Sequence, residues 1–139
     1  MKNNFKQRKI ARKCVLQGLF CLSINESNKQ RIKNYLLKKN KKIINTTYFN
    51  KLYYNIPKTE HILDTYIKKN ILYNLSELSV IELIILRIAL FELLYIQKIP
   101  RKVIICEALQ LAMAYGSHQS YKFINNVLDK IFKNYPILC

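Results

Sequence analysis

The sequence is short of the residues that build tight turns. Its 139 residues include two glycines and three prolines, which supply few of the turns that hairpins and strand-rich architectures need. Strict alternation of apolar and polar residues is also scarce. We therefore expect an all-helical protein of about six or seven short helices, folded as one domain over residues 1–139.

Acidic residues are the second scarcity. The chain has 8 Asp or Glu against 24 Lys or Arg, for a formal net charge of +16. Residues 1–58 hold 15 Lys or Arg and a single acid, Glu26, which gives +14, whereas residues 59–139 hold nine cations and seven acids, which gives +2. An AT-biased genome would add lysine everywhere, but it would not concentrate the charge. The segregation favours a polyanion such as RNA, DNA or an anionic membrane as the partner of the N-terminal half.

Sequence patterns of enzymes and metal sites are missing. The chain has no Gly-rich phosphate loop, no HExxH, no GxSxG and no CxxC, and its eight acids offer little for a paired-carboxylate site. His61 and His118 lie far apart without a nearby acid in sequence. The cysteines have no metal-ligand spacing and do not require an oxidising compartment; they are Cys14, Cys21, Cys106 and Cys139. We expect a cytoplasmic binding protein that is not an enzyme and has no cofactor or metal.

The N-terminal segment combines cations with an apolar stripe. Apolar or small residues recur at helical spacing over residues 5–24, at Ala11, Cys14, Val15, Gly18, Leu19 and Leu22. Five cations flank this stripe without an acid among them, and they are Lys6, Arg8, Lys9, Arg12 and Lys13. Cations four residues apart stack along one side of a helix and can follow successive phosphates. The pattern predicts a helix whose stripe packs inward while its cations face RNA.

Two membrane interpretations compete with this one. Residues 1–20 are basic and then apolar, as in a transit peptide or a surface anchor, but they lack serine and a small-residue cleavage site. The stretch VIELIILRIALFELLYIQ is apolar on nearly every side, yet Glu82, Arg87 and Glu92 interrupt it. A central helix wrapped by its neighbours explains this composition better. Ser79 and Glu82 form the pattern of a capping box at its start.

The C-terminal part contains a second candidate binding element. We expect a helix over residues 102–115, with Gly116 as its left-handed stop and Ser117 or Ser120 capping the next helix. Aromatic residues then alternate with a cation and amides in SYKFINNVLDK, residues 120–130. Such combinations suit unstacked RNA bases, which stack on rings while cations hold the backbone. From spacing alone, Phe123 fits the core and the RNA surface equally well.

These segments together resemble the NusB family of bacterial transcription antitermination factors. The matching pieces are ARKCVLQGLF at 11–20, VIELIILRIALFELLY at 80–95 and IPRKVIICEALQLAMAYGSHQSYKFINNVLDKI at 99–131. They occur in the family's order, while residues 25–60 match only loosely. The resemblance implies an all-helical fold of two packed small bundles. It also implies binding of single-stranded boxA RNA in nascent ribosomal leader transcripts, and pairing with NusE, a small-subunit ribosomal protein, in the RNA polymerase antitermination complex.

The resemblance also assigns roles to individual residues. The family's arginine-rich motif falls on Arg8, Lys9, Arg12 and Lys13, preceded by Lys6. Its KF-x-N element falls on Lys122, Phe123 and Asn125, and its NusE-contacting helix contains Glu82. The sequence departs from the family at Lys13, where an acid is usual, at Cys106 and at Asn126.

A related family use leaves an alternative function open. Domains similar to NusB also precede ribosomal RNA cytosine methyltransferases, where they serve as RNA-binding modules. The chain has no Gly-rich stretch of the Rossmann type, so it would be a stand-alone module of that kind rather than an active methyltransferase.

Overall fold

The computed structural model describes residues 2–25, 28–96 and 98–135. Within these ranges the chain forms seven α-helices and no strand. The helices are α1 (Lys2–Ile24), α2 (Lys29–Lys39), α3 (Thr46–Lys58), α4 (Glu60–Lys68), α5 (Val80–Tyr95), α6 (Arg101–Tyr115) and α7 (His118–Asn134), with a 3-10 turn at Leu75–Glu77. The predicted all-helical fold is confirmed. Pro136 and Cys139 lie outside the described residues.

The chain divides into two compact units, Met1–Lys58 and Thr59–Cys139. We call them unit 1 and unit 2. The boundary coincides with the point at which the sequence changes from a net charge of +14 to one of +2. That both units act together as one domain stays a prediction.

Unit 1 has its core between α1 and α3. The predicted stripe of α1 is buried at Ala11, Cys14, Val15, Gly18 and Leu19. It meets the buried face of α3, where the rings of Phe49 and Tyr53 stack with centroids 4.9 Å apart. A Cβ added to Gly18 would lie 2.7 Å from Cε1 of Tyr53. The absence of a side chain at Gly18 therefore lets the Tyr53 ring lie against α1.

The N-terminus of α3 is capped by Asn45. Its Oδ1 accepts a hydrogen bond from the backbone N–H of Tyr48 at 2.9 Å, and its own N–H donates to the carbonyl of Gln7 at 3.2 Å. Thr46 and Thr47 follow Asn45 and form the exposed first turn of α3. One residue thus caps the start of α3 and ties the preceding turn to α1.

Unit 2 is built around α5. This helix packs against α4, α6 and α7, and it buries residues on all sides, including Ile84, Ile85, Leu86, Ile88, Leu90 and Phe91. The expectation of a central helix is confirmed. In the described ranges, no helix is both long and apolar enough to cross a membrane.

Two arginines join the helices of unit 2. Arg87 of α5 forms a two-pronged ion pair with Asp64 of α4, with both N···O distances at 2.9 Å, and it reaches Glu60 at 3.2 Å. Arg101, at the start of α6, donates to the carbonyls of Phe132 and Tyr135. A cation at these carbonyls complements the negative end of the α7 dipole, so Arg101 fixes the end of α7 to the start of α6.

The turn between α6 and α7 differs from the prediction. Gly116 has φ −92° and ψ −177°, an extended conformation, so the expected left-handed stop is wrong. A Cβ at Gly116 would lie 2.8 Å from both the Ala112 carbonyl oxygen and Cβ of Ser120. Glycine is needed here for close approach rather than for a positive φ. Ser117 caps α7, one of the two residues proposed for that role.

Candidate nucleic-acid interface

The cations of α1 occupy different environments. Lys6, Lys9 and Lys13 are exposed, Arg8 is half-buried, and Arg12 is only 3% exposed. The expectation that all of them face outward is therefore wrong for Arg12. Four-residue spacing gave the correct side of the helix, but it did not reveal that α3 covers part of that side. Three lysines remain as an outward row that could meet phosphates.

Tyr48 of α3 explains the burial of the two arginines. The guanidinium carbon of Arg8 lies 4.6 Å from the centre of the Tyr48 ring, and that of Arg12 lies 5.6 Å from it. Both distances allow cation–π attraction. Nε of Arg8 is buried and has no hydrogen-bond partner among the described residues. Sequence reasoning missed Tyr48, because no local spacing connects it with residues 8–12.

The second cluster lies on α7. Lys122 and Asn125 are exposed, as is Asn126. Phe123 is half-buried, and its ring stacks on that of Tyr73 with centroids 5.9 Å apart and an interplanar angle of 24°. Tyr73, which lies between α4 and α5, is 47% exposed. The two rings therefore form an aromatic surface that is neither core nor fully solvated, and Tyr73 is a second residue that the sequence alone did not single out.

An open cavity is lined in part by Lys122, the residue that precedes Phe123. It has a volume of about 380 Å³ and lies where α6 ends and α7 begins. Its lining consists of Met113, Gly116, Ser117, His118, Tyr121 and Lys122. Lys122 thus belongs both to the cavity wall and to the KF-x-N element.

Glu82 has a structural role within unit 2. Its Oε1 accepts the N–H of Ser79 at 3.1 Å, and its own N–H donates to Oγ of Ser79, which completes the predicted capping box. Its Oε2 accepts a hydrogen bond from Oγ of Ser120 on α7 at 2.9 Å. The carboxylate of the predicted partner-binding residue therefore joins the start of α5 to α7.

The described cysteines differ in burial. Burial raises the pKa of the Cys14 thiol from 9.0 to about 11, so this side chain packs as a small neutral hydrophobe. Cys21 and Cys106 are exposed. The described ranges contain no group of three or more His, Cys, Asp or Glu side chains placed to hold a metal ion.

The predicted RNA-binding residues belong to both units. Lys6, Arg8, Lys9, Arg12 and Lys13 lie in unit 1, and Lys122, Phe123 and Asn125 lie in unit 2. In each unit, cations stand beside aromatic rings, which is the combination that binds unpaired nucleotides.

Comparison with known proteins identifies the fold and the family. A family model described as the NusB family matches residues 9–133. The chain belongs to the NusB family. The transcription antitermination protein NusB of Buchnera aphidicola subsp. Acyrthosiphon pisum (strain APS) is 42% identical over 135 residues, covering 96% of this chain and 93% of that protein. The NusB of Blochmanniella floridana is 40% identical over 125 residues, covering 89% and 91%.

Solved structures of the NusB family share the fold. NusB from T. maritima superposes with a TM-score of 0.79 at 28% identity, covering 92% of each chain. A chain in a crystal structure of the antitermination factors NusB and NusE in complex with dsRNA gives a TM-score of 0.79 at 23% identity, covering 93% of this chain and 98% of that one. The relatives are transcription antitermination proteins, and the predicted family and regulatory, non-enzymatic class are confirmed.

Proposed function

We propose that this NusB-family protein binds the boxA element of nascent ribosomal RNA leader transcripts together with NusE, and so keeps RNA polymerase processive on ribosomal RNA operons in the cytoplasm. The observation that carries the proposal is the row of exposed lysines on α1, Lys6, Lys9 and Lys13, in a chain of the antitermination family. A row of cations on a rigid helix holds phosphates in order.

The aromatic surface of unit 2 supports a single-stranded RNA target. A base pushed out of its stack needs a flat partner, and the paired rings of Phe123 and Tyr73 offer one beside the exposed Lys122 and Asn125. The cation holds the backbone, and the amide can hydrogen-bond a base edge. Arg8 and Arg12, whose guanidinium groups lie over the Tyr48 ring, are also proposed to contribute to RNA binding.

NusE is the proposed protein partner. A solved NusB of the same fold was crystallised with NusE and double-stranded RNA. Glu82 remains our proposed contact on this chain. Because its carboxylate is already engaged by Ser79 and Ser120, we expect it to act mainly by fixing the start of α5, with its remaining lone pairs available to a basic group of NusE.

The test is equilibrium binding by fluorescence anisotropy. A boxA oligonucleotide and a scrambled one of the same composition are titrated with the full chain, with and without purified NusE. Contact with about four to six phosphates predicts a slope of about −3 to −4 for log affinity against log salt. Equal affinity for the two sequences in both conditions would contradict the proposal.

A matched pair of variants tests the α1 lysines. K6Q/K13Q removes two exposed charges from α1, and K68Q/K69Q removes two exposed charges from the end of α4. We expect the α1 variant to make the salt slope shallower by about 1.4, with little change for the α4 variant. Equal effects of both variants would show that net charge, and not this row, attracts the RNA.

A further inference from the structure

Helix α2 presents a second basic face in unit 1. Its sequence KQRIKNYLLKK contains no acid. Arg31, Tyr35 and Lys38 follow one another at intervals of four and three residues, which places them on one side of the helix. All three are exposed, and Tyr35 is 63% exposed. An exposed ring therefore lies between two exposed cations on this side of the helix.

The orientation of this face is fixed by the opposite side of α2. Leu36 is buried, and the Nζ atoms of Lys29 and Lys33 lie 4.9 and 4.8 Å from the centre of the Tyr54 ring on α3. The hydroxyl of Tyr53 donates to the carbonyl of Lys29 at 2.9 Å. These contacts hold α2 on α3, so the exposed side stays turned to solvent.

Further cations extend the exposed side. Nζ of Lys39 lies 5.9 Å from the centre of the Tyr35 ring, and Lys42 is exposed in the turn that follows. We call Arg31, Tyr35, Lys38, Lys39 and Lys42 the α2 face. No acid occurs in the described residues of unit 1, so nothing there offsets this charge.

We propose that the α2 face is a second RNA-binding surface, which holds unpaired nucleotides flanking the recognised element through their phosphates and stacks a base on Tyr35. The inference rests on the proposed function, since it assumes an RNA partner. The α2 face adds affinity without sequence selectivity, because its lysines and arginine contact phosphates and its tyrosine ring stacks on any base. The α2 face and the lysine row of α1 lie on different helices and in different parts of the sequence.

The composition of α2 favours RNA over a membrane. A membrane-surface helix needs an apolar side free to enter the lipid. The apolar residues of α2 lie on the side towards the core, where Leu36 is buried and Ile32 and Leu37 are partly buried. The exposed side offers one tyrosine among cations, which suits an unstacked base better than a lipid interior.

The principal test compares two RNAs. One is a boxA oligonucleotide without flanks, and the other carries unpaired flanks on both sides. The variant R31Q/K38Q/K39Q is compared with K68Q/K69Q/K130Q, which removes three exposed charges from unit 2. We expect flanks to steepen the salt slope of the unsubstituted protein by about 2, and we expect only the α2 variant to abolish that difference. Binding of the unflanked RNA should change less than about twofold for either variant.

A second test separates stacking from charge. Y35L should weaken binding of the flanked RNA about fivefold while leaving binding of inorganic polyphosphate, which has no bases, unchanged. Circular dichroism and thermal unfolding of each variant establish that it is folded. Equal losses on both ligands would refute the stacking role of Tyr35.

The outcomes distinguish this inference from the proposed function. If flanks add no affinity, or if both triple variants act alike, the α2 face is not an RNA site, even where boxA is still preferred over its scrambled form. If boxA and scrambled RNA bind alike, the proposed function fails. Sedimentation with anionic phosphatidylglycerol vesicles, lost only in the α2 variant while flanked RNA binds normally, would assign the face to a membrane and overturn the inference.

Discussion

At the scale of single residues, aromatic rings decide what the cations can do. Tyr48 holds Arg8 and Arg12 against α3, and Tyr73 gives Phe123 a partner outside the core. Neither tyrosine belongs to a local motif. The cationic and KF-x-N residues were predictable from the sequence, whereas their aromatic partners come from other helices and loops and are found only by folding the chain.

Phe123 gives a direct test of the aromatic surface. F123L keeps most of the apolar volume but loses the flat ring that lies against Tyr73. We expect affinity for single-stranded RNA to fall about fivefold or more and the free energy of unfolding to fall by about 1 kcal/mol. Anisotropy titration and urea unfolding measure the two effects. Unchanged RNA affinity would place Phe123 among the packing residues only.

Gly18 is a residue whose small size matters more than its helix propensity. Alanine is favoured over glycine inside a helix by about 1 kcal/mol, yet the added Cβ would meet the Tyr53 ring at 2.7 Å. Since that ring is buried and its hydroxyl is bonded to Lys29, we expect G18A to destabilise the protein by about 1–2 kcal/mol. Urea unfolding checks this, with N34A on the exposed side of α2 as a propensity control. A gain in stability for G18A would show that the ring moves freely.

At the scale of helices, the sequence predicted the caps of α5 and α7 but not that of α3. The Ser79–Glu82 box and the start of α7 at Ser117 follow from spacing within four residues. Asn45 caps α3 through a local bond from the Tyr48 N–H, and its second bond, from its own N–H to the Gln7 carbonyl, comes from the packing of α1 and α3. The predicted left-handed conformation of Gly116 was wrong, and glycine is required there because an added Cβ would meet the Ala112 carbonyl of one flanking helix and Ser120 of the other.

The bond between Glu82 and Ser120 should couple α5 to α7. E82Q weakens the bond to Ser120 by removing the charge, and S120A removes it together with a contact to the Ser117 N–H. We expect each variant to lower the free energy of unfolding by about 1–2 kcal/mol, and the double variant to lose less than the sum. The measurement is a double-mutant cycle by urea unfolding, with E77Q as the exposed control. Strict additivity would show that the two helices are not coupled through this bond.

At the scale of the whole molecule, the net charge differs between the two units into which the chain divides. Unit 1 carries nearly all of the net charge, and the boundary at Lys58 separates it from a nearly neutral unit 2. Repulsion among like charges destabilises a compact state, and a polyanion relieves it. We therefore expect the residues proposed to attract RNA to lower the stability of the free protein.

Salt should consequently stabilise the free protein. Raising sodium chloride from about 20 to about 200 mM shortens the Debye length to less than half, and we expect Tm to rise by a few degrees, equivalent to about 1 kcal/mol. Differential scanning fluorimetry measures this. K6Q/K13Q should have a smaller salt response than the unsubstituted protein. A fall in Tm with salt would mean that ion pairs such as Arg87–Asp64 outweigh the repulsion.

The helical fold, the central place of α5, the inward stripe of α1 and the division of charge can be predicted from the sequence alone, because these features depend on composition and on spacing within a few turns. Which cations reach solvent depends on how the helices pack. Arg12 and Lys13 are neighbours in sequence, yet α3 covers one and leaves the other exposed. Side-chain spacing defines a side of a helix, but only the packing of a second helix determines how much of that side remains available to a ligand.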